Sequence, residues 1–235
     1  MRGAEPVVRH RRCAPDDPRR GSAGRPFTTI FASSAEPGCC GRTIDRPRIT
    51  EAARDYLTAG IAEDLQPDEQ SYVHTGGAAP AVRQVADTRE EADLVARFLQ
   101  GATRELRLTV GSGAVLVPDK YVGEPLADAL EDRGIPAEYR NSREFELDDN
   151  SISILPLTAA KGLEFPVVAV AGFGKSNWPH LEDLDGDAEI EALVKARRTL
   201  FVAMTRAMRA LLVVTPSGHD SMLYDGFDPE LWNTA

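Results

Sequence analysis

The sequence predicts an α/β fold built on a mainly parallel sheet, and three observations support this prediction. From about residue 46 onward, segments with strand-like patterns alternate with segments of helical period. Residues 166–172 and 211–214 are nearly continuous apolar runs, which is typical of strands buried on both faces. The chain has 235 residues, of which 42% are hydrophobic, so one or two domains with a sizeable core are expected.

The predicted elements follow in order along the chain. Apolar residues at helical spacing predict four helices, at about 50–65, 88–99, 122–130 and 190–208. Apolar runs predict five strands, at 81–86, 114–117, 152–155, 166–172 and 211–214. Thr88 and Glu91 have the spacing of a capping box at the second helix, and Gly134 is placed to end the third. Met204 and Met208 are interpreted as core residues one turn apart on the last helix.

Charge is distributed unevenly along the chain. Residues 1–50 carry ten arginines and five acidic residues, whereas residues 51–235 carry 17 basic and 32 acidic residues, a net charge of −15. Residues 1–45 show no structural period, so we expect a disordered Arg- and Pro-rich leader there. Its arginine clusters fit either an arm that contacts phosphates or a leader without a selected function. We therefore expect a leader at 1–45, a domain at 46–216 and a tail at 217–235, docked by Trp232.

Composition argues against several classes of protein. No apolar run approaches the roughly 18 residues of a membrane span, and no secretory leader opens the chain, so no membrane partner is expected. The three cysteines suit neither a disulfide framework nor a metal site, which favours a cytoplasmic protein. The four histidines are scattered and the acidic run 183–189 lacks EF-hand spacing, so no metal site is expected.

Two segments carry the candidate chemistry, and residues 154–165 form the first. A predicted strand leads there to Lys161, Gly162 and Glu164, which supply a cation, a flexible backbone and a carboxylate. Ligands of α/β sheets bind beyond the carboxyl ends of the strands, so we expect this group at that edge. A lysine can meet a phosphate, and a carboxylate can accept both hydroxyls of a ribose.

Residues 196–207 form the second segment, which is predicted to continue the last helix. Arg198 and Arg206 are eight residues apart, which would place them about 80° apart around one helix. Apolar neighbours would cover part of the Arg206 stem, and a guanidinium held in this way can neutralise a phosphoryl group bound by another domain. Arg197 and Arg198 are expected to face solvent or to pair with the acidic run before the helix.

Both segments resemble motifs of a known family. The runs AAKGLEF (159–165) and RRTLFVAMTRA (197–207) are similar to motifs V and VI of UvrD-like superfamily 1 helicases, in the same order and at a similar separation. The resemblance implies a RecA-like three-layer domain, the second and C-terminal motor domain of an ATP-dependent DNA helicase.

The resemblance also implies roles for individual residues. Glu164 would bind the ribose of ATP, Lys161 and Gly162 would lie beside the phosphates, and Arg206 would be the arginine finger, with Arg198 in the same nucleotide site. A separate Walker A-bearing domain would hold the rest of the ATP and its Mg²⁺. Single-stranded DNA would be the other partner, bound only weakly by this chain alone.

The sequence departs from the family pattern in several places. Pro156 and Thr158 stand where motif V has threonine and histidine, and Lys195 and Ala196 stand where motif VI has two acidic residues. We find no Walker A or Walker B segment of the first motor domain upstream, so we expect the chain alone to be nearly inactive as an ATPase. A split subunit, a truncated copy and a degenerate remnant each fit this pattern.

Two other functions stay open at this point. Residues 169–176 fit a relaxed P-loop pattern ending in Gly174-Lys175-Ser176, which would make the protein an NTPase in its own right. Pro179 follows three residues later, where it would disrupt the helix that a P-loop requires. Alternatively, the chain is a non-catalytic nucleotide- or protein-binding module that associates with a separate ATPase.

Overall fold

The computed structural model describes most of the chain, namely residues 46–59, 78–140, 150–174, 178–182, 184–218, 221 and 223–234. The expected leader at 1–45 and the end of the first predicted helix lie outside these ranges, as do Lys175, Ser176 and Asp183. Within the described ranges, no helix is both long enough and apolar enough to cross a membrane. In the same ranges, no three His, Cys, Asp or Glu side chains are grouped as a metal ion would require.

Six strands form one sheet: β1 (Ala81–Val85), β2 (Gly113–Val117), β3 (Ala137–Tyr139), β4 (Ile152–Pro156), β5 (Phe165–Val170) and β6 (Ala207–Pro216). Their order across the sheet is β1-β6-β5-β2-β4-β3, and every pairing between these strands is parallel. The predicted α/β fold with a mainly parallel sheet is therefore confirmed. The prediction lacks β3, because three residues carry too little pattern to identify a strand.

Four α-helices of the described residues cover the two faces of the sheet: α1 (Arg46–Thr58), α2 (Thr88–Glu105), α3 (Lys120–Glu131) and α4 (Gly186–Met204). Helices α2 and α3 pack on one face, and α1 and α4 pack on the other. Successive strand residues face opposite cores, so Val115 and Val117 contact the α2 side while Ala114 and Leu116 contact the α1 side. Burial on both faces explains the continuous apolar runs in the sequence.

The N-terminus of α2 differs from the predicted capping box by one residue. Asp87 rather than Thr88 is the N-cap, and its carboxylate accepts hydrogen bonds from two backbone N–H groups of the first turn, at 2.9 and 2.8 Å. Glu90, the third residue of the helix, accepts from the N–H of Ala86, the residue before the cap, at 2.7 Å. Aspartate caps a helix as well as threonine does, and the shift by one residue turns Glu91 away from the cap and into the interior.

Glu91 is a buried carboxyl group that joins α2 to the end of β5. Its side chain is only 6% exposed, and Oε1 accepts a hydrogen bond from the N–H of Gly172 at 2.7 Å. Burial raises the pKa of Glu91, and the hydrogen bond from Gly172 opposes this effect in part. Gly172 has φ of +91°, a conformation that favours glycine, and this brings its N–H to the carboxylate.

A buried arginine joins α4 to α1 and to the C-terminal segment. Arg197 is 2% exposed, its guanidinium lies 4.2 Å from the centre of the Tyr56 ring, and it donates to the carbonyl oxygens of Tyr56 and Asp225. Trp232 is also buried and donates from Nε1 to the Ala52 carbonyl at 3.2 Å. The segment after β6 is thus packed on α1 by Trp232, as predicted. The expectation that Arg197 faces solvent is wrong, because its stem fills the interface between α1 and α4.

We predict that Arg197→Ala lowers the free energy of unfolding by about 2–4 kcal/mol, because it leaves a cavity over Tyr56 and removes the donor to two carbonyl groups. Chemical denaturation measures the change. Arg198 is the matched control, since it is the exposed neighbour on the same helix, and Arg198→Ala should change stability by no more than about 0.5 kcal/mol. Equal effects of the two substitutions would show that Arg197 does not hold the helices together.

We also predict a pH-dependent effect of Glu91→Gln. Because the pKa of Glu91 is higher in the folded state, its contribution to stability is present at low pH and is lost as pH rises through the folded pKa. Glutamine keeps an acceptor for the Gly172 N–H but does not titrate. The stability of the variant relative to wild type should therefore increase between about pH 4 and about pH 7 in thermal unfolding. Glu105→Gln, at an exposed position of α2, is the control; a constant difference for Glu91→Gln would contradict the prediction.

Candidate functional site

Arg206 lies after α4 rather than on it. The helix ends at Met204, and β6 begins at Ala207, so the predicted continuation of the helix to Met208 is wrong. Arg198 and Arg206 therefore do not share a helix. The apolar pattern continues without a break from α4 into β6. The residues from Ala207 onward are strand rather than helix because they pair with β5 and β1 in the sheet.

The guanidinium of Arg206 is held in place by groups of its own chain. Its Nε donates to the carbonyl of Val202 at 3.0 Å in the last turn of α4, and Nη1 donates to the carbonyl of Leu163 at 3.4 Å. Its Nη2 donates to Thr205 Oγ1 at 3.2 Å. The side chain is half-buried, and none of these acceptors is a carboxylate. Its orientation is thus set without these contacts neutralising its positive charge.

Lys161, Gly162 and Glu164 lie in the segment that connects β4 to β5. A short 3₁₀ helix, Leu157–Ala160, follows β4 and packs against α4. Lys161, Gly162 and Glu164, which follow this short helix, are exposed. Gly162 has φ of +86°, and the space where a side chain would stand is open. The backbone at Gly162 is therefore accessible to a ligand.

The two sequence segments meet where β5 and β6 begin. The N–H of Phe165 donates to the carbonyl of Arg206 at 3.0 Å, and Phe165 pairs with Ala207 in the sheet. Glu164 and Arg206 each directly precede one of these paired residues. The structure thus places both at the same edge of the sheet; Lys161, Gly162, Glu164 and Arg206 are called the amino-edge cluster below.

The cluster lies at the amino ends of the strands, whereas the sequence predicted the carboxyl ends. The connecting segment leaves β4 at its carboxyl end, but it has crossed the face of the sheet by the time it reaches Glu164. Helix α4 runs from the carboxyl end of β5 to the amino end of β6, so its last turn brings Arg206 to the amino ends as well. The usual location of ligands in α/β sheets therefore does not apply to these residues.

Other residues singled out from the sequence lie apart from this cluster. Arg198 is exposed on α4 and makes no hydrogen bond or ion pair with the cluster in the described part of the chain. Gly174 is described and exposed, while Lys175 and Ser176 are outside the described residues. The described residues between Trp178 and Asp185 are not helical, and α4 begins only at Gly186, so a P-loop helix is absent from this part of the structure.

The groups that hold the Arg206 side chain are not evident from the sequence. Val202 and Leu163 act through backbone carbonyls, which any residue type supplies, so no sequence signal identifies them. Thr205 acts through its hydroxyl, which also donates to Val202 at 2.8 Å. The only sequence feature that points to this role of Thr205 is its position directly before Arg206.

Comparison with known proteins finds similarity to UvrD-like helicases. Residues 138–217, about a third of the chain, match the UvrD-like helicase C-terminal domain. The ATP-dependent DNA helicase UvrD1 of Mycobacterium tuberculosis is 36% identical over 110 residues, which are 47% of this chain and 13% of that protein. The ATP-dependent DNA helicase PcrA of Leuconostoc citreum is 31% identical over 133 residues, covering 50% of this chain and 17% of that protein.

A solved structure shares the fold. The C-terminal domain of a possible DNA helicase from Lactobacillus plantarum superposes with a TM-score of 0.57 at 19% identity, covering 80% of this chain and 94% of that one. The matches to the helicases UvrD1 and PcrA span less than a fifth of the length of either protein. Residues 138–217 of this chain are therefore similar to the C-terminal domain of UvrD-like helicases, as the resemblance of motifs V and VI predicted.

Proposed function

We propose that the amino-edge cluster completes an ATP site whose other half belongs to a Walker A-bearing motor domain of a UvrD-like helicase. The observation that carries this proposal is the contact between the Arg206 guanidinium and the Leu163 carbonyl, which joins motif VI to motif V directly beside Glu164. A cation, a carboxylate and an open glycine backbone at one edge form a surface that complements a nucleotide bound by a facing domain.

In this proposal each residue of the cluster has a separate task. Arg206 neutralises the charge that develops on the transferred phosphoryl group, Lys161 meets a neighbouring phosphate, and Glu164 accepts the ribose hydroxyls. Gly162 lets the backbone approach the ligand closely. The Mg²⁺ that accompanies ATP and helps to neutralise its phosphates is held by the partner domain.

The contacts of Arg206 explain why an arginine suits this position. Three of its N–H groups already donate to Val202, Leu163 and Thr205, and the remaining N–H groups are left for a phosphate. The guanidinium is therefore oriented before the ligand arrives, which lowers the entropic cost of the interaction. A lysine in this place has no planar fork with which to keep both sets of contacts.

Single-stranded DNA is the second partner in this proposal. Relatives of the domain are DNA helicases by name. Residues 51–235 carry a net charge of −15, however, and affinity for nucleic acid is dominated by contacts of basic groups with phosphates. Tight binding of DNA therefore requires the facing domain, whose basic groups would complete the binding surface.

We predict that the chain alone has no appreciable ATPase activity and that a UvrD-like first motor domain added in trans restores turnover. In the reconstituted enzyme, Arg206→Ala should lower turnover by roughly 10³-fold, as arginine fingers do. Arg206→Lys should rescue little of this loss. Arg104→Ala, at an exposed position of α2, is the matched control and should leave turnover unchanged.

Two results of this experiment would contradict the proposal. Equal turnover of the Arg206→Ala and Arg104→Ala enzymes would show that the cluster does not reach the phosphoryl group. ATPase activity of the chain alone that Lys175→Ala abolishes and Arg206→Ala leaves intact would instead favour the P-loop interpretation of Gly174-Lys175-Ser176.

We predict that the chain alone binds single-stranded DNA weakly and that raised salt abolishes this binding. Fluorescence anisotropy of a labelled oligothymidylate, titrated at about 50 mM and about 200 mM salt, measures the effect. Because the acidic domain presents few basic contacts to phosphates, binding is already weak at the lower salt concentration, and the further loss at the higher concentration takes it below detection. Tight binding that persists at the higher salt concentration would contradict the prediction.

A further inference from the structure

A cavity of about 840 Å³ lies between α2 and α3, at the opposite edge of the sheet from the amino-edge cluster. Gly172, which follows the carboxyl end of β5, and the exposed His180 line one end of this α2–α3 cavity. Arg133 lines it from the segment after α3. The volume is within the usual range of about 300–1,000 Å³ for small-ligand pockets.

The side walls of the cavity are mainly apolar. Ala92 contributes from α2, and Val122, Pro125, Leu126 and Ala129 contribute from α3. These side chains cannot form hydrogen bonds, so they favour a group that is apolar where it passes between them. The walls therefore suit a methylene chain or a flat ring.

Glu91 provides a buried acceptor in this apolar cavity. Its Oε1 is occupied by the N–H of Gly172, but Oε2 receives no hydrogen bond from the described residues. Oε2 is not sealed from solvent, so a charged N–H donor that enters the cavity could form a charge-assisted hydrogen bond with it. The cavity thus presents a partner for the head group of a cationic ligand.

Other charged groups also line the cavity, namely Arg89, Arg133, His180 and Asp119. Arg133 is already neutralised, because its Nε donates to Asp93 at 2.6 Å. Asp119 stands at the N-terminus of α3 and accepts from backbone N–H groups there, and Asp87 does the same at α2. Carboxylates thus occupy both helix N-termini, which leaves neither terminus available to bind a phosphate. Arg89 is exposed at the rim and can turn into solvent.

We propose that the α2–α3 cavity binds the side chain of an arginine presented by a basic segment of a partner protein. The guanidinium would donate to Glu91 Oε2, and its stem would lie along Val122 and Leu126. Tyr121, an aromatic side chain that is 77% exposed at the mouth of the cavity, would contact the incoming chain. The net charge of −15 on residues 51–235 would attract such a basic segment.

The test uses the full chain labelled with ¹⁵N and the peptide acetyl-Gly-Arg-Gly-amide, with a citrulline analogue that has the same shape but no charge. The arginine peptide should shift the amide signals of Gly172 and Tyr121 in a saturable manner, and the citrulline peptide should not. Glu91→Gln should weaken binding about tenfold, because it replaces a charge-assisted hydrogen bond by a neutral one. Glu105→Gln is the matched control on the same helix and should bind as wild type does.

A second variant keeps the test decisive if Glu91→Gln alters the fold. Tyr121 is exposed, so Tyr121→Ala should leave the other amide signals in place while it weakens binding about threefold. Equal binding of the arginine and citrulline peptides would overturn the proposal, as would undiminished binding by a folded Glu91→Gln chain. A single-stranded oligonucleotide that shifts Gly172 and Tyr121 when the arginine peptide does not would also overturn it.

Discussion

The parallel pairing of β5 with β6 fixes the relative positions of the two segments that carry the candidate chemistry. The hydrogen bond from the Phe165 N–H to the Arg206 carbonyl, at 3.0 Å, opens this pairing. Pro166 has no N–H, and the register shifts by one residue between Phe165 and Val167. Because Glu164 and Arg206 directly precede the paired residues, the sheet itself brings together the two segments that resemble motifs V and VI, although these residues are about 40 positions apart in the chain.

The direction of the strands then divides the domain into two edges of different chemistry. At the amino ends, Arg206 is held by carbonyl groups and keeps its positive charge, which suits a phosphate bound by another domain. At the carboxyl ends, Asp87 and Asp119 cap the two helices, and the buried Glu91 lines the α2–α3 cavity as an acceptor. Nucleotide and basic protein partners would therefore bind to opposite edges without competing for the same surface.

Much of the fold could be predicted because the central strands are buried on both faces, as the runs at 166–172 and 211–214 show. The end of α4 could not be predicted, because the apolar pattern continues unchanged through Ala207. Only the pairing with β5 decides where β6 begins. The edge at which the cluster lies depends on the path of Leu157–Ala160 across the sheet, which no local pattern encodes. The burial of Arg197 likewise depends on Tyr56, a contact between distant parts of the chain.

The most direct test is a crystal structure of this chain bound to a UvrD-like first motor domain and a non-hydrolysable ATP analogue. In that complex the analogue should lie beyond the amino ends of the strands, with its terminal phosphate on the Arg206 guanidinium and its ribose on Glu164. The Leu163 carbonyl would still accept from Arg206 in that complex. An analogue bound instead at the carboxyl ends, beside Gly172 and Gly174, would contradict the account.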